Sequence, residues 1–204
     1  MAKITAIIVQ EKNKNRCNLF VDGDFFAGVN TETVLKNRLK VGADFDKKEL
    51  DAVLLEDERA IALNKAVAYV SKTLKTKRQV KDYLLRKGFS EETAWFCIDK
   101  LKEYAYIDDC EYSKRYIDSV SKTQGRRLIE YKLMAKGVKK EDVFTAFEQT
   151  EVDSKENAKA LAVKYLKNKD LTKETIAKTY RYLIGRGFSY EEADYAISSF
   201  KSGD

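Results

Sequence analysis

The chain has 204 residues, 44% hydrophobic and 35% charged, with a formal net charge of +6. It contains no histidine and no proline, so a Ser-His-Asp triad or a histidine zinc site is impossible, and long helices meet no ring-locked breaker. Its three cysteines, Cys17, Cys97 and Cys110, are odd in number and lack CxxC spacing, which suits a reducing compartment better than a disulfide framework.

The first apolar run, Ile4 to Val9, is too short for a signal-peptide core or a membrane span. The expected location is therefore cytoplasmic. Residues 3–10, Arg16 to Val21 and Asp24 to Val29 are strand-like, and Asp22-Gly23 between the last two is a hairpin signal. A three-stranded antiparallel sheet is expected. Thr31 to Lys40 then forms a helix capped at Asn30 or Thr31 and ended by Gly42, docked by default on the first repeat. Asp46 and Glu49 resemble a capping box for the next helix, which carries Leu50, Val53 and Leu54 and has a possible break near Glu56 to Glu58.

From about residue 57 the chain repeats. Thr76 and Gln79 form a Thr-x-x-Gln capping box, Val80, Leu84 and Leu85 share a helical face, Gly88 stops the helix, and Ser90 with Glu91 and Glu92 opens the next. The same unit recurs at Lys136-Gly137-Val138 before Glu141-Asp142, and at Arg186-Gly187-Phe188-Ser189 before Glu191-Glu192. The glycines are 49 and 50 residues apart (137 − 88 and 187 − 137). Counted from each glycine, Leu84, Leu133 and Leu183 correspond, as do Ala94, Val143 and Ala193, and Cys97, Ala146 and Ala196. A repeat of this length cannot bury its own apolar face and stacks on its neighbours. The expected helices are 59–74, 77–87 and 91–103; 109–122, 126–136 and 140–149; and 155–168, 173–186 and 190–200. The expected fold is mainly α: an elongated array of three tandem three-helix repeats with a small N-terminal antiparallel sheet plus helix. The expected divisions are 1–50, 57–106, 107–152 and 153–204.

Charge is unevenly spread. Residues 113–140 hold nine Lys/Arg against Asp118 and Glu130, a net of +7, whereas 141–157 hold six carboxylates and one lysine, a net of −5. Such a basic stripe implies a polyanionic partner, set against the blander reading of a solvated helix face. No phosphate-binding loop is present, and Asp108-Asp109 and the paired glutamates sit at helix starts, where the helix dipole accounts for them. No catalytic residue, metal or cofactor is expected. Tyr83 and Tyr182 share a repeat position and are assigned to the core; Tyr116 and Tyr131 lie among basic residues, where base stacking is an alternative. A helix-turn-helix reading is weakened by the acidic starts of the third helices, which would repel phosphates.

Thr76 to Gly88, the block Tyr106-Ile107-Asp108-Asp109 with Tyr112 and Arg115, and Gly125-Arg126-Arg127-Leu128 through Lys132-Leu133 to Lys136-Gly137 resemble the RecX family over roughly residues 57–200. That resemblance implies a non-enzymatic bacterial regulator that binds RecA and the RecA–single-stranded-DNA filament. By the same resemblance, such a regulator is expected to limit filament growth, ATP hydrolysis, strand exchange and SOS induction. Direct contact with single- or double-stranded DNA is expected, with no membrane and a monomeric state. The residues expected to face RecA or DNA are Arg78, Lys81, Arg86, Lys87, Arg115, Arg126, Arg127, Lys132 and Lys136. Residues 1–50 lie outside the shared repeats. In the third repeat Ala177 and Gly185 stand where the first has Arg78 and Arg86, so that repeat is expected to contribute shape more than charge. The alternatives are a stand-alone DNA-binding protein or transcription regulator, and a structural adaptor with merely solvated basic faces.

Overall fold

The structure is a computed structural model describing residues 2–201. Its contacts divide the chain into two units. One holds the residues up to Lys72 together with Lys81–Tyr104; the other holds Thr73–Val80 and everything from Ala105 onward.

The first unit begins with strands β1 (Ala2–Val9), β2 (Arg16–Val21) and β3 (Asp24–Asn30). β2 and β3 are joined by a turn in which Asp22 and Gly23 have φ of 50° and 95°, the left-handed pair that a two-residue hairpin needs and that Asp-Gly supplies. After the six-residue helix α1 (Thr31–Lys36) comes β4 (Asp44–Phe45). β4 pairs with the outer edge of β1, giving the antiparallel order β3-β2-β1-β4. The sheet therefore has four strands where three were expected. Two residues are too few for a period-2 pattern, so β4 leaves no trace in the sequence. One face of the sheet buries Ile4, Cys17, Leu19 and Val29 against Val34, Leu39, Leu50 and Val53.

Helix α2 (Lys47–Val70) is continuous over 24 residues, so the break considered near Glu56 to Glu58 does not occur. All three acidic residues there are bound. Glu56 pairs with Lys36 and accepts from Asn37 Nδ2 at 3.3 Å. Asp57, 3% exposed, accepts from the backbone N of Asn30 at 2.8 Å and from Thr33 Oγ1 at 2.6 Å. Glu58 accepts from both N and Oγ of Ser90 at 3.1 Å. Asp57 thus serves the free donors at the start of α1, whose own N-cap, Asn30, contributes no side-chain bond.

Helix α3 (Lys77–Arg86) contributes its first turn to the second unit and the remainder to the first, where α4 (Glu91–Glu103) packs on α2. Thr76 and Gln79 make the reciprocal capping bonds at 3.1 and 3.2 Å, and Ser90 Oγ caps α4 by accepting from Thr93 N.

The second unit contains α5 (Asp109–Val120), α6 (Arg126–Ala135), α7 (Lys140–Glu148), α8 (Ser154–Leu166), α9 (Lys173–Gly185) and α10 (Tyr190–Lys201). In each triplet the first helix packs on the third: α2 with α4, α5 with α7, α8 with α10. The repeat positions follow suit. Leu84, Leu133 and Leu183 are fully buried, as are Cys97, Ala146 and Ala196. The small residue nine places after each glycine lets the first and third helices approach closely. Gly88, Gly137 and Gly187 all have φ between 84° and 89°, the left-handed stop that residues with a Cβ resist.

Candidate binding surface

Within the second unit the repeats are joined by a contact that itself repeats. Helix N-termini carry free N–H donors, and the turn after a helix carries free carbonyls; those carbonyls are met by a cap hydroxyl at one joint and by backbone N–H groups at the next. Thr76 Oγ1 donates to the carbonyl of Lys136 at 2.8 Å, and the stem of Arg78 lies against Gly137. One repeat later, Gly125 N donates to the carbonyl of Arg186 at 2.9 Å, Arg127 N donates to Gly187 O at 3.2 Å, and Leu128 lies against Gly187. Thr76 and Gly125 hold the same place, 12 residues before their glycines (88 − 76 and 137 − 125). A Cβ at Gly125 would come closer than 3.0 Å to backbone atoms of Gly187 and Phe188. Its φ is −77°, so glycine is needed there for space and not for conformation.

The first of these joints also holds Asp109. Assigned from the sequence to capping alongside Asp108, it is 2% exposed and accepts from the backbone N of Lys77 at 2.9 Å, with Lys77 Nζ 3.8 Å away. Asp108 is the true cap of α5, accepting from Cys110 N and Glu111 N. Burial pushes the Asp109 carboxyl above its usual range, only partly offset by the Lys77 N–H and ammonium. No spacing rule reveals this partnership, because Asp109 is 32 residues from Lys77.

The basic residues fall into distinct settings. In the second unit the joints bring two pairs of cations onto shared turns: Arg78 beside the Lys136-Gly137 turn, and Arg127 beside the Arg186-Gly187 turn. Arg186 gives the third repeat a cation at its own turn, at the position that Lys87 and Lys136 hold in the other two. Around α6, at 3.6 residues per turn, Arg127, Tyr131 and Met134 share the side away from buried Ile129 and Leu133, with Tyr131 71% exposed. Arg126 and Lys132 flank the buried stripe. Arg126 pairs with Glu130 at 2.7 Å and lies over the Phe147 ring at 4.6 Å, and Lys132 Nζ donates to Gln124 at 2.8 Å. Arg115 pairs with Glu111 at 2.9 Å. The Arg127 side chain has no ion pair or hydrogen bond among the described residues.

In the first unit Lys81 pairs with Glu91 and lies over Trp95 at 4.8 Å, which holds the Glu91 carboxyl below its usual range. Lys87 lies over Tyr83 at 5.8 Å, and Arg86 is exposed. Tyr83 and Tyr182, expected in the core, are half-buried and each stacks on a partner that the sequence did not single out. Tyr83 stacks on Tyr69 at 4.1 Å and Tyr182 on Tyr165 at 4.4 Å. The only signal for those partners is a tyrosine near the end of each repeat's first helix. Tyr116 is half-buried beneath Lys136 at 5.9 Å. Burial pushes the Cys97 thiol up to about 11, as befits a core position.

Among the described residues no three His, Cys, Asp or Glu side chains gather as a metal site would require. No helix among them is long and apolar enough to cross a membrane. The fold and this surface define a tandem three-helix-repeat protein whose chemistry lies in exposed cations and rings. Comparisons with known proteins give it a family. Models described as "Regulatory protein RecX N-terminal domain", "RecX, first three-helix domain" and "RecX, third three-helix domain" match residues 2–46, 62–101 and 151–197. The chain is 33% identical over 207 residues to "Regulatory protein RecX" of Clostridium tetani (strain Massachusetts / E88), covering 99% of this chain and 96% of that one. It is 35% identical over 196 residues to the protein of that description from Clostridium botulinum (strain Alaska E43 / Type E3), covering 94% and 92%. A crystal structure of regulatory protein RecX superposes with a TM-score of 0.73 at 27% identity, covering 98% of this chain and all of that one. That of RecX from Lactobacillus salivarius gives 0.65 at 25%, covering 72% and 98%. The chain belongs to the RecX family of regulatory proteins.

Proposed function

We propose that this protein is a non-enzymatic cytoplasmic regulator that binds RecA and the RecA–single-stranded-DNA filament as a monomer, contacts the DNA directly, and mostly inhibits ATP hydrolysis and strand exchange. In that role it restrains recombination and the SOS response. Besides family membership, the observation that carries this reading is the repeated joint. Each joint sets the second residue of one repeat's second helix at the turn that carries the pre-glycine cation of the next, bringing Arg78 to the turn of Lys136 and Arg127 to that of Arg186. Cations delivered at a structural period suit a partner that is itself periodic and polyanionic. The divisions 1–50, 57–106, 107–152 and 153–204 are the modules we assign to this work.

The test is the DNA-dependent ATPase of RecA. Replacing Arg126 and Arg127 together with Ala weakens inhibition about tenfold, the loss expected for one or two charge-assisted contacts, with helix content unchanged. Arg127→Ala alone produces most of the effect, because Arg126 is engaged by Glu130 and Phe147. Unchanged inhibition in the double variant removes these residues from the interface. Inhibition that vanishes at the salt concentration that abolishes binding to free DNA favours the stand-alone DNA-binding protein instead.

A further inference from the structure

Several cations lie over aromatic rings among the described residues, and nine of them divide sharply. Arg59, Lys81, Lys100, Arg126 and Lys155 are each also paired with a glutamate. Lys87, Lys136, Lys169 and Arg186 have no carboxylate partner among the described residues. Three of these four hold one position: the residue immediately before the repeat glycine. In the first five a carboxylate already neutralises the cation that lies over the ring. Leaving the charge uncompensated at the same turn of every repeat keeps it available to an anion from outside.

The third repeat develops this most fully. Between α8 and α9 lies a cleft of about 380 Å³, lined by Thr123, Leu161, Lys164, Tyr165, Tyr182 and Arg186. Two cations line it and no carboxylate does. The rings of Tyr165 and Tyr182 stack at 4.4 Å and 19°, with Lys169 Nζ 3.5 Å from the first and Arg186 Cζ 5.1 Å from the second. The first repeat carries the same pre-glycine cation and tyrosine pair, Lys87 with Tyr83 and Tyr69, the rings 4.1 Å apart and 4° from parallel. The second keeps Lys136 over Tyr116 but has Lys132 where the others have Tyr83 and Tyr182.

We propose that the α8–α9 cleft is a binding site for one nucleotide unit of single-stranded nucleic acid. A phosphate draws Arg186 and Lys164 to itself, and a base takes the tyrosine surface that Arg186 now covers. An acidic peptide would satisfy the cations but leaves the paired rings without a role, whereas every unpaired base has a π-face. The neighbouring Arg127, brought to the Arg186-Gly187 turn by its N–H bond to Gly187, extends the phosphate track. This deepens the reading of the protein as a partner of a filament on single-stranded DNA, and assigns the DNA contact to the third repeat.

The experiment measures fluorescence anisotropy of a labelled thymidine oligonucleotide with the full chain across a salt series. Lys164→Ala combined with Arg186→Ala makes the slope of log affinity against log salt shallower by about 0.7, the contribution of the one phosphate they neutralise together. Tyr182→Leu weakens binding about tenfold, within the range for one stacked base, and leaves the slope unchanged; Tyr182→Phe binds like the parent. Tyr182 is half-buried, so if the Leu variant fails to fold, the surface pair Lys164/Arg186 still decides. Parental affinity and slope in a folded Lys164/Arg186 double variant overturns the proposal, as does equal competition by poly-glutamate. The RecA assay is separate. Parental inhibition of RecA by a chain whose cleft variants bind oligonucleotide normally sinks the cleft alone. Oligonucleotide binding through the cleft without any effect on RecA sinks the proposed function alone.

Discussion

Replacing Gly125 with Ala tests how one repeat locks onto the next. The added methyl would lie closer than 3.0 Å to the backbone of Gly187 and Phe188, atoms that no rotamer change can move aside. Relieving the overlap means drawing the N-terminus of α6 away from the turn, which forfeits the Gly125 N to Arg186 O and Arg127 N to Gly187 O bonds. Overpacking against a fixed neighbour costs about 1–3 kcal/mol and each lost backbone bond about 1 kcal/mol. A total of about 4 kcal/mol lowers the unfolding midpoint of a chain this long by roughly 8–16 °C. Gly88→Ala is the matched control. It meets nothing within 4 Å but sits at φ +85°, so it carries only the conformational cost of about 1–2 kcal/mol. The assay is a thermal scan of both variants, with hydrogen exchange over α6 and α8–α10 to locate the loosening. A Gly125→Ala midpoint within a degree or two of the parent, or a loss no larger than that of Gly88→Ala, would refute the account of the joint.

Asp57→Ala removes the buried acceptor shared by Asn30 N and Thr33 Oγ1. It is expected to destabilise the N-terminal unit by about 3 kcal/mol, since two bonds to one buried side chain are lost together and their donors are left unpaired; urea unfolding followed by hydrogen exchange in the sheet measures it. Asp109 makes a pH-dependent prediction. Its carboxyl is raised in the folded chain by burial, so the folded state holds the proton longer than the unfolded one. Its contribution is most favourable below the unfolded carboxylate pKa and is lost as pH rises through the folded value. Asp109→Asn keeps an acceptor for Lys77 N without the buried charge. Its stability relative to the parent should therefore improve as pH rises from about 3 to 7, given the usual carboxylate range. A difference that stays flat, or runs the other way, contradicts the burial-dominated setting.

The fold was legible from the sequence to a large extent because its signals are local. Gly88, Gly137 and Gly187 mark left-handed stops, Thr76-Gln79 and Ser90 mark caps, and the buried positions recur at fixed distances from each glycine. The α3–α10 boundaries expected from these signals lie within two residues or so of those observed. The failures share a cause. β4 is two residues long and exists only because β1 offers an edge. The acidic run Glu56-Asp57-Glu58 looked like a break because its partners, Asn30, Lys36, Thr33 and Ser90, lie 20 or more residues away. Tyr83 and Tyr182 looked like core because helical spacing distinguishes inward from outward but not a buried ring from a half-buried one.

By itself, then, the sequence determined the repeat, its period, the helix ends and the surplus of positive charge, since each depends on residues within one or two turns of one another. Which cations share a turn, which are already neutralised by glutamate, and why Gly125 cannot carry a side chain were decided only by tertiary structure. Those properties depend on where one repeat's helix N-terminus meets the next repeat's carbonyls, and that meeting joins residues some 60 positions apart.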